Sequence, residues 1–282
     1  MFDRTGKDLC AVSDDDQWLD VLCRSVREPF INSIAMPRFP DAATQRRLVG
    51  SADEAALQEG FRFFQQVKGY ATALGMPVHS KTRFLDFGFG WGRFPRLFWG
   101  DISADSIFGV DVDGGIVDTS RNLGVPGKFA TIQPLGNLPY DDNAFDLIIS
   151  YSVFSHLPEP VAEHWMNELS RVAKPGCVFA YTTESRRFFD FILDLPDDAS
   201  SDWHRGLLRF RGLIPKLIKD FDEDLFCFIP TSGGDHLPSA TYGDAAVPEG
   251  YIERKWRPYF EKRAYIDDPS VFWQAFVVVQ KR

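Results

Sequence analysis

Between residues 82 and 183, apolar runs of strand length alternate with amphipathic stretches of helical spacing. The runs 82–87, 106–111, 128–132, 145–150 and 177–183 read as strands, with 92–100, 114–122 and 160–172 as helices between them. Such alternation predicts an α/β fold, a mostly parallel sheet with helices on both faces. Ahead of it, Trp18, Val21, Leu22 and Val26 recur at helical spacing within 14–27. Leu57, Phe61, Phe64, Val67 and Tyr70 mark one face of a second helix, closed by Gly75. Ser51, three residues before Glu54, has the spacing of a capping box for that helix. Beyond the alternation, 186–195 reads as a short helix. The stretch 203–219 is amphipathic through Leu207, Phe210, Ile214 and Ile218, with a bend expected at Pro215. The runs 257–265 and 271–279 read as closing strands.

The pattern centres on Phe84-Leu85-Asp86-Phe87-Gly88-Phe89-Gly90-Trp91-Gly92-Arg93. A buried strand passes into a turn with glycine at every second position, then into a helix. Glycines let the backbone approach a ligand, and the helix start offers free N–H groups. The next strand, Ile107-Phe108-Gly109-Val110-Asp111, ends in a carboxylate. An acid there accepts hydrogen bonds from ribose hydroxyls in nucleoside-binding βαβ units. Asp113 competes for that role, two residues on and on the same side of an extended chain. The third glycine falls one residue earlier than in the dinucleotide fingerprint, and Asp86 precedes the turn. A carboxylate there repels a pyrophosphate and suits an ammonium group.

This stretch resembles motif I of the class I S-adenosylmethionine-dependent methyltransferases. Gly109-Val110-Asp111, Leu138 to Ser150, and Val172-Ala173-Lys174-Pro175-Gly176 resemble later motifs of that family, in order, across roughly residues 80 to 185. The resemblance implies a Rossmann-like, seven-stranded, mostly parallel sheet whose last strand is an antiparallel hairpin partner. It implies S-adenosylmethionine as cofactor, with Asp86 at its methionine end and Asp111 on the ribose. The cofactor contacts expected are Asp86, Gly88, Phe89, Gly90, Asp111, Val112, Pro134, Leu135, Ser150 and Tyr151. Gly92 serves close packing. Many relatives read adenine with an acid after the third strand; here Gln133 and Pro134 stand there, which leaves apolar contact around Pro134 and Leu135. Some relatives hold a metal through carboxylates at the positions of Ser152 and Ser155, so no metal is expected.

On this reading the chain divides into an N-terminal helical extension (1–75), a cofactor-binding core (76–185), an insertion or lid between strands five and six (186–250) and closing strands (251–282). His156, after the fourth strand, is the first candidate general base for a hydroxyl acceptor, and His236 the second. Each also reads as a structural or solvated residue, as do Asp235 and Tyr242. The runs from Ser239 to Gly243, Gly250 to Trp256 and Tyr259 to Glu261 resemble a branch associated with polysaccharide and glycan biosynthesis. The expected activity is O-methylation of a small polar acceptor such as a sugar. A nicotinamide-dependent oxidoreductase and a non-catalytic S-adenosylmethionine-binding protein are the alternatives.

The net charge of −9 excludes a generally basic, nucleic-acid-binding surface. One basic segment remains, with Arg205, Arg209, Arg211, Lys216 and Lys219, and it could steer a phosphate or carboxylate on the acceptor. Cys10, Cys23, Cys177 and Cys227 are scattered, as in a reducing compartment. No signal peptide or membrane-length apolar run is read, so a cytoplasmic location is expected. The oligomeric state is not legible.

Overall fold

A computed structural model describes residues 4–231 and 237–282. The chain opens with α1 (Gly6–Cys10), α2 (Asp15–Ser25), a short ribbon of β1 (Phe30–Ile31) and β2 (Ile34–Ala35), α3 (Ala42–Val49) and α4 (Asp53–Ala73). The alternating region follows as β3 (Phe84–Phe87), α5 (Arg93–Phe98), β4 (Ile107–Asp111), α6 (Gly114–Asn122), β5 (Lys128–Thr131), β6 (Phe145–Ser150), α7 (Glu159–Val172) and β7 (Ala173–Thr183). Then come α8 (Arg186–Asp194), α9 (Asp202–Leu208), α10 (Ile214–Asp222), β8 (Cys227–Ile229), β9 (Asp244–Ala246), α11 (Glu249–Tyr251), β10 (Glu261–Ile266) and β11 (Ala275–Gln280).

Seven strands form one sheet in the order β10-β11-β7-β6-β3-β4-β5. β3 pairs in parallel with β4 on one side and β6 on the other, and β4 pairs in parallel with β5. β10 and β11 form the antiparallel hairpin. All four residues of β3 are buried, as expected of a parallel strand inside a helix-flanked sheet.

By internal contacts the chain divides into two units, one running to Ile149 and including Val172–Val178, the other made of Ser150–Arg171 and Phe179–Arg282. In the first, Trp18 is fully buried, donates its indole N–H to the Leu97 carbonyl at 3.0 Å and meets Trp99 edge-on. Phe63 and Phe64 of α4 pack on Phe94 and Phe98 of α5. Lys7 and Lys68 each bridge Asp15 and Asp101, so one partly buried set of four charges joins α1, α2, α4 and the turn after α5. The second unit has its own core, with Phe188, Phe189 and Ile192 of α8 packed among Leu207, Ile214, Leu217 and Ile229.

Four local expectations are corrected. Ser51 does not cap α4. Its hydroxyl bonds Glu59, and the Asp53 N–H is taken instead by the Gln45 side chain, which reaches over from α3. Pro215 does not bend a helix spanning 203–219. The stretch breaks into α9, a 3₁₀ turn at Arg211–Leu213 and α10, and Pro215 sits in the first turn of α10, where a missing N–H costs nothing. Residues 257–260 turn rather than extend. Residues 271–274 precede β11 instead of belonging to it.

Gly92 has φ +82°, and a Cβ there would lie 2.6 Å from Val125 Cγ1. Left-handed strain and overpacking together make Gly92→Ala destabilising by about 2–4 kcal/mol. A urea titration should show the midpoint falling while the slope is kept.

Candidate active site

The turn after β3 is shaped by three glycines in the left-handed region, Gly88 at φ +78°, Gly90 at +54° and Gly92 at +82°. Any other residue would be strained there. The N–H groups of Gly88 and Phe89 donate to the Val110 carbonyl, and the Gly90 N–H donates to Asp111 Oδ2 at 3.0 Å. The turn therefore hangs from the end of β4. Nothing lies within 4 Å of where a Cβ on Gly90 would stand, so this backbone borders open space. The Phe89 side chain is buried, stacked on Phe129 among Val117 and Val125. Phe89 accordingly offers a ligand its backbone and not its ring.

Asp86, on β3 before the turn, is 1% exposed, and neither carboxylate oxygen has a hydrogen-bond partner among the described residues. Burial first, and then the nearby Asp111 charge, push its carboxyl well above the usual range, with Arg93 opposing. Asp111 is also raised by burial, against the N–H bonds it accepts from Asp113 and Gly90. The rivalry with Asp113 is resolved by the helix: Asp113 Oδ1 caps α6 through the N–H groups of Gly115 and Ile116. The Ile132 N–H bonds the Asp111 carbonyl, so the 133–136 turn leaves β5 beside that acid. There Leu135 is 56% exposed, and Val112, next to Asp111, is also exposed. An apolar contact for a flat ring is thus available beside a hydroxyl acceptor.

Ser150 and Tyr151 follow Ile149, which pairs with Asp86 in the sheet. Ser150 is buried and Tyr151 partly so. Within the second unit His156 is the centre of a polar cluster. Its Nδ1 lies 2.8 Å from the Gly243 carbonyl, which can only accept, so Nδ1 carries the proton. Nε2 then holds a lone pair, 3.5 Å from Ser152 Oγ. Tyr242 stacks on the ring at 4.6 Å. Burial holds the imidazole below the ordinary histidine value against the pull of Asp244, 3.7 Å away. A neutral imidazole with an available Nε2 is the form a general base requires.

Sequence reasoning missed Glu184 and Gln274. Glu184 is 4% exposed, one residue beyond β7, and Gln274 Nε2 donates to it at 2.9 Å. Burial pushes its carboxyl up to about 8. The strand-end rule that selected Asp111 applies equally to Glu184. No sequence signal points to Gln274, because only strand pairing brings it there. His236 and Asp235 lie outside the described residues. Four of the five basic residues of the segment 205–219 are paired locally: Arg205 with Asp202, Arg211 with Asp197, Lys216 with Asp220 and Lys219 with Glu223.

Residues 85–181 match the family model of a methyltransferase domain. A segment of 109 residues is 28% identical to an uncharacterized methyltransferase of Schizosaccharomyces pombe, covering 35% of this chain and 38% of that protein. The chain thus spans well under half the length of this curated relative. Among solved structures, the PH0226 protein of Pyrococcus horikoshii superposes with a TM-score of 0.51 at 15% identity, over 79% of this chain and 91% of that one. The magnesium protoporphyrin IX methyltransferase of Synechocystis, solved with bound SAH, superposes with 0.50 at 14% identity, over 85% and 94%. At these identities the likeness is one of fold.

The methyltransferase-domain segment fits S-adenosylmethionine. The unpartnered, buried Asp86 is complementary to an ammonium group, the open Gly90 backbone admits close approach, and Asp111 keeps lone pairs for hydroxyls. Leu135 and Val112 present apolar surface for a base.

Glu184 also makes stability depend on pH. An unfolded glutamate titrates near 4.5, so between there and about 8 the native state holds a proton that the unfolded chain has lost. Native stability therefore falls as pH rises through that window. Glu184→Gln removes this slope. Its urea midpoint relative to wild type should climb across the window and level off above it; a gap independent of pH would refute the assignment.

Proposed function

We propose that the chain is an S-adenosylmethionine-dependent methyltransferase that O-methylates a small polar acceptor, a hydroxyl of a sugar or sugar conjugate, in glycan or polysaccharide biosynthesis. The observation that carries the reading is Asp86, a buried carboxyl without a hydrogen-bond partner among the described residues, beside a glycine turn of left-handed backbone. A pyrophosphate would meet that carboxyl unfavourably, which argues against a nicotinamide cofactor. When bound, S-adenosylmethionine supplies a methyl group on a sulfonium sulfur, which keeps the S–C electron pair as the methyl passes to the acceptor oxygen.

The chain's own residues then have two tasks, orientation and proton removal. Asp86 and the Gly88 and Gly90 backbone hold the methionine end, Asp111 the ribose, and Pro134 with Leu135 the adenine. His156 Nε2 takes the hydroxyl proton, with His236 as the second candidate. A sugar is supported by exposed aromatic faces beside the polar cluster. Trp203 and Trp273 are 43% and 52% exposed and both pack on Phe191. Trp203 reaches Asp244 with its indole N–H, and Trp273 adjoins Gln274. Flat apolar faces next to hydrogen-bonding groups suit a polyhydroxylated ring. The locally paired basic segment gives no support to an anionic acceptor. Four free cysteines, and no helix long and apolar enough to cross a membrane among the described residues, accord with a cytoplasmic location.

Asp111→Ala should weaken S-adenosylhomocysteine binding ten- to a hundredfold, roughly 1.5–3 kcal/mol. Calorimetry on the folded variant checks this, and unchanged affinity would sink the cofactor assignment. For the acceptor, a cell extract with labelled methyl donor should yield a labelled small hydroxyl compound. His156→Gln should cut its formation by about 10²–10⁴ while S-adenosylhomocysteine affinity holds. A labelled protein or nucleic acid would instead defeat the small-acceptor reading.

A further inference from the structure

We propose that Gln274, in the segment leading into β11, is a positioning residue for His156, setting the Ser152 hydroxyl as a donor to His156 Nε2. The inference rests on the reading of His156 as the base and adds the group that prepares it. The directions of the bonds from Ser152 N–H through Thr182 to Gln274 are fixed by their neighbours. Ser152 N–H donates to Thr182 Oγ1 at 2.7 Å, which turns the Thr182 hydroxyl proton toward Gln274 Oε1 at 2.6 Å. With Oε1 accepting, the amide is oriented and both Nε2 hydrogens point the other way. One goes to Glu184 Oε1 at 2.9 Å and one to Ser152 Oγ at 3.1 Å. Ser152 Oγ accepts from Gln274, so its own proton has two neighbours to choose from, Ser155 Oγ at 3.4 Å and His156 Nε2 at 3.5 Å, and the imidazole lone pair is the stronger acceptor.

Two further observations point the same way. Ser152 holds φ +58°, a left-handed conformation that a serine adopts at a cost, and Thr182 pins it there. The long Ser152–His156 separation is loose enough for an acceptor hydroxyl to take the serine's place. The proton of that hydroxyl then passes to Nε2, while Nδ1 keeps its proton on the Gly243 carbonyl. Glu184 anchors the far side of Gln274. It is faced by Asp244, by Asp267 and by Arg187, which pairs with Asp267. His156 is faced by Asp244, Ser152, the Gly243 carbonyl and the Tyr242 ring.

The test reads the imidazole itself, without cofactor or acceptor. The full chain, labelled with ¹⁵N-histidine, is followed by long-range ¹H–¹⁵N spectra through a pH titration, with His156→Gln assigning its signal among the five histidines. The wild type should show the Nδ1–H tautomer. Losing the ordered serine donor should free the Nε2 lone pair, so Gln274→Ala should raise the His156 pKa by roughly half a unit. Ser152→Ala alone should produce a similar rise. In the Ser152→Ala background the Gln274 change should have no further effect, which a merely structural role would not produce. An Nε2–H tautomer in wild type, an unmoved His156 signal in Gln274→Ala, or additive shifts in the double variant would each overturn the proposal. If Gln274→Ala fails to fold, Gln274→Met carries the same reading. These outcomes are separate from the base assignment, which stands or falls with methyl transfer by His156→Gln.

Discussion

The bond from the Gly90 N–H to Asp111 Oδ2 is the constraint on which the first unit's site depends. It joins the turn after β3 to the tip of β4, strands that already lie side by side in parallel register. The turn can close this way only because three glycines accept left-handed backbone, and Gly92 must also lack a side chain to let Val125 in. From that point the rest follows in order. α5 begins at Gly92, the Asp111 carbonyl receives the Ile132 N–H, and the segment after β5 is held beside the acid.

What the sequence disclosed and what it hid divide along contact distance. Strand–helix alternation, the glycine turn and the acid-tipped strand are local patterns, and each element formed within a few residues of its expected place. The failures have different causes, and in one a side chain from elsewhere supplied what the local pattern was expected to supply. Gln45 of α3 took the N–H that Ser51 was to cap, and Pro215 started a helix because the chain had already turned at Arg211. Asp111 and Asp113 were interchangeable by alternation until α6 claimed Asp113. Glu184 and Gln274 stand 90 residues apart and meet only through the sheet.

Asp86 and the buried acids of the second unit are handled by opposite means. Glu184 and Asp244 are surrounded by donors, Gln274 for one, Thr231 and Trp203 for the other. Burial without donors costs several times what a satisfied group costs, and natural interiors seldom tolerate it. Among the described residues Asp86 is such a group, and the countervailing charge, Arg93, is also engaged by the Ala56 carbonyl and Glu59.

A carboxyl that burial pushes toward its protonated form gives up part of a proton when an arriving cation favours the ionised form. On the proposed reading, occupancy of the glycine turn is coupled to the proton activity of the solution through Asp86 and Asp111, both raised by burial. Acidification would weaken occupancy of the turn with no change in any contact. The same residue that selects the ligand by charge would then also make its loading sensitive to acidity.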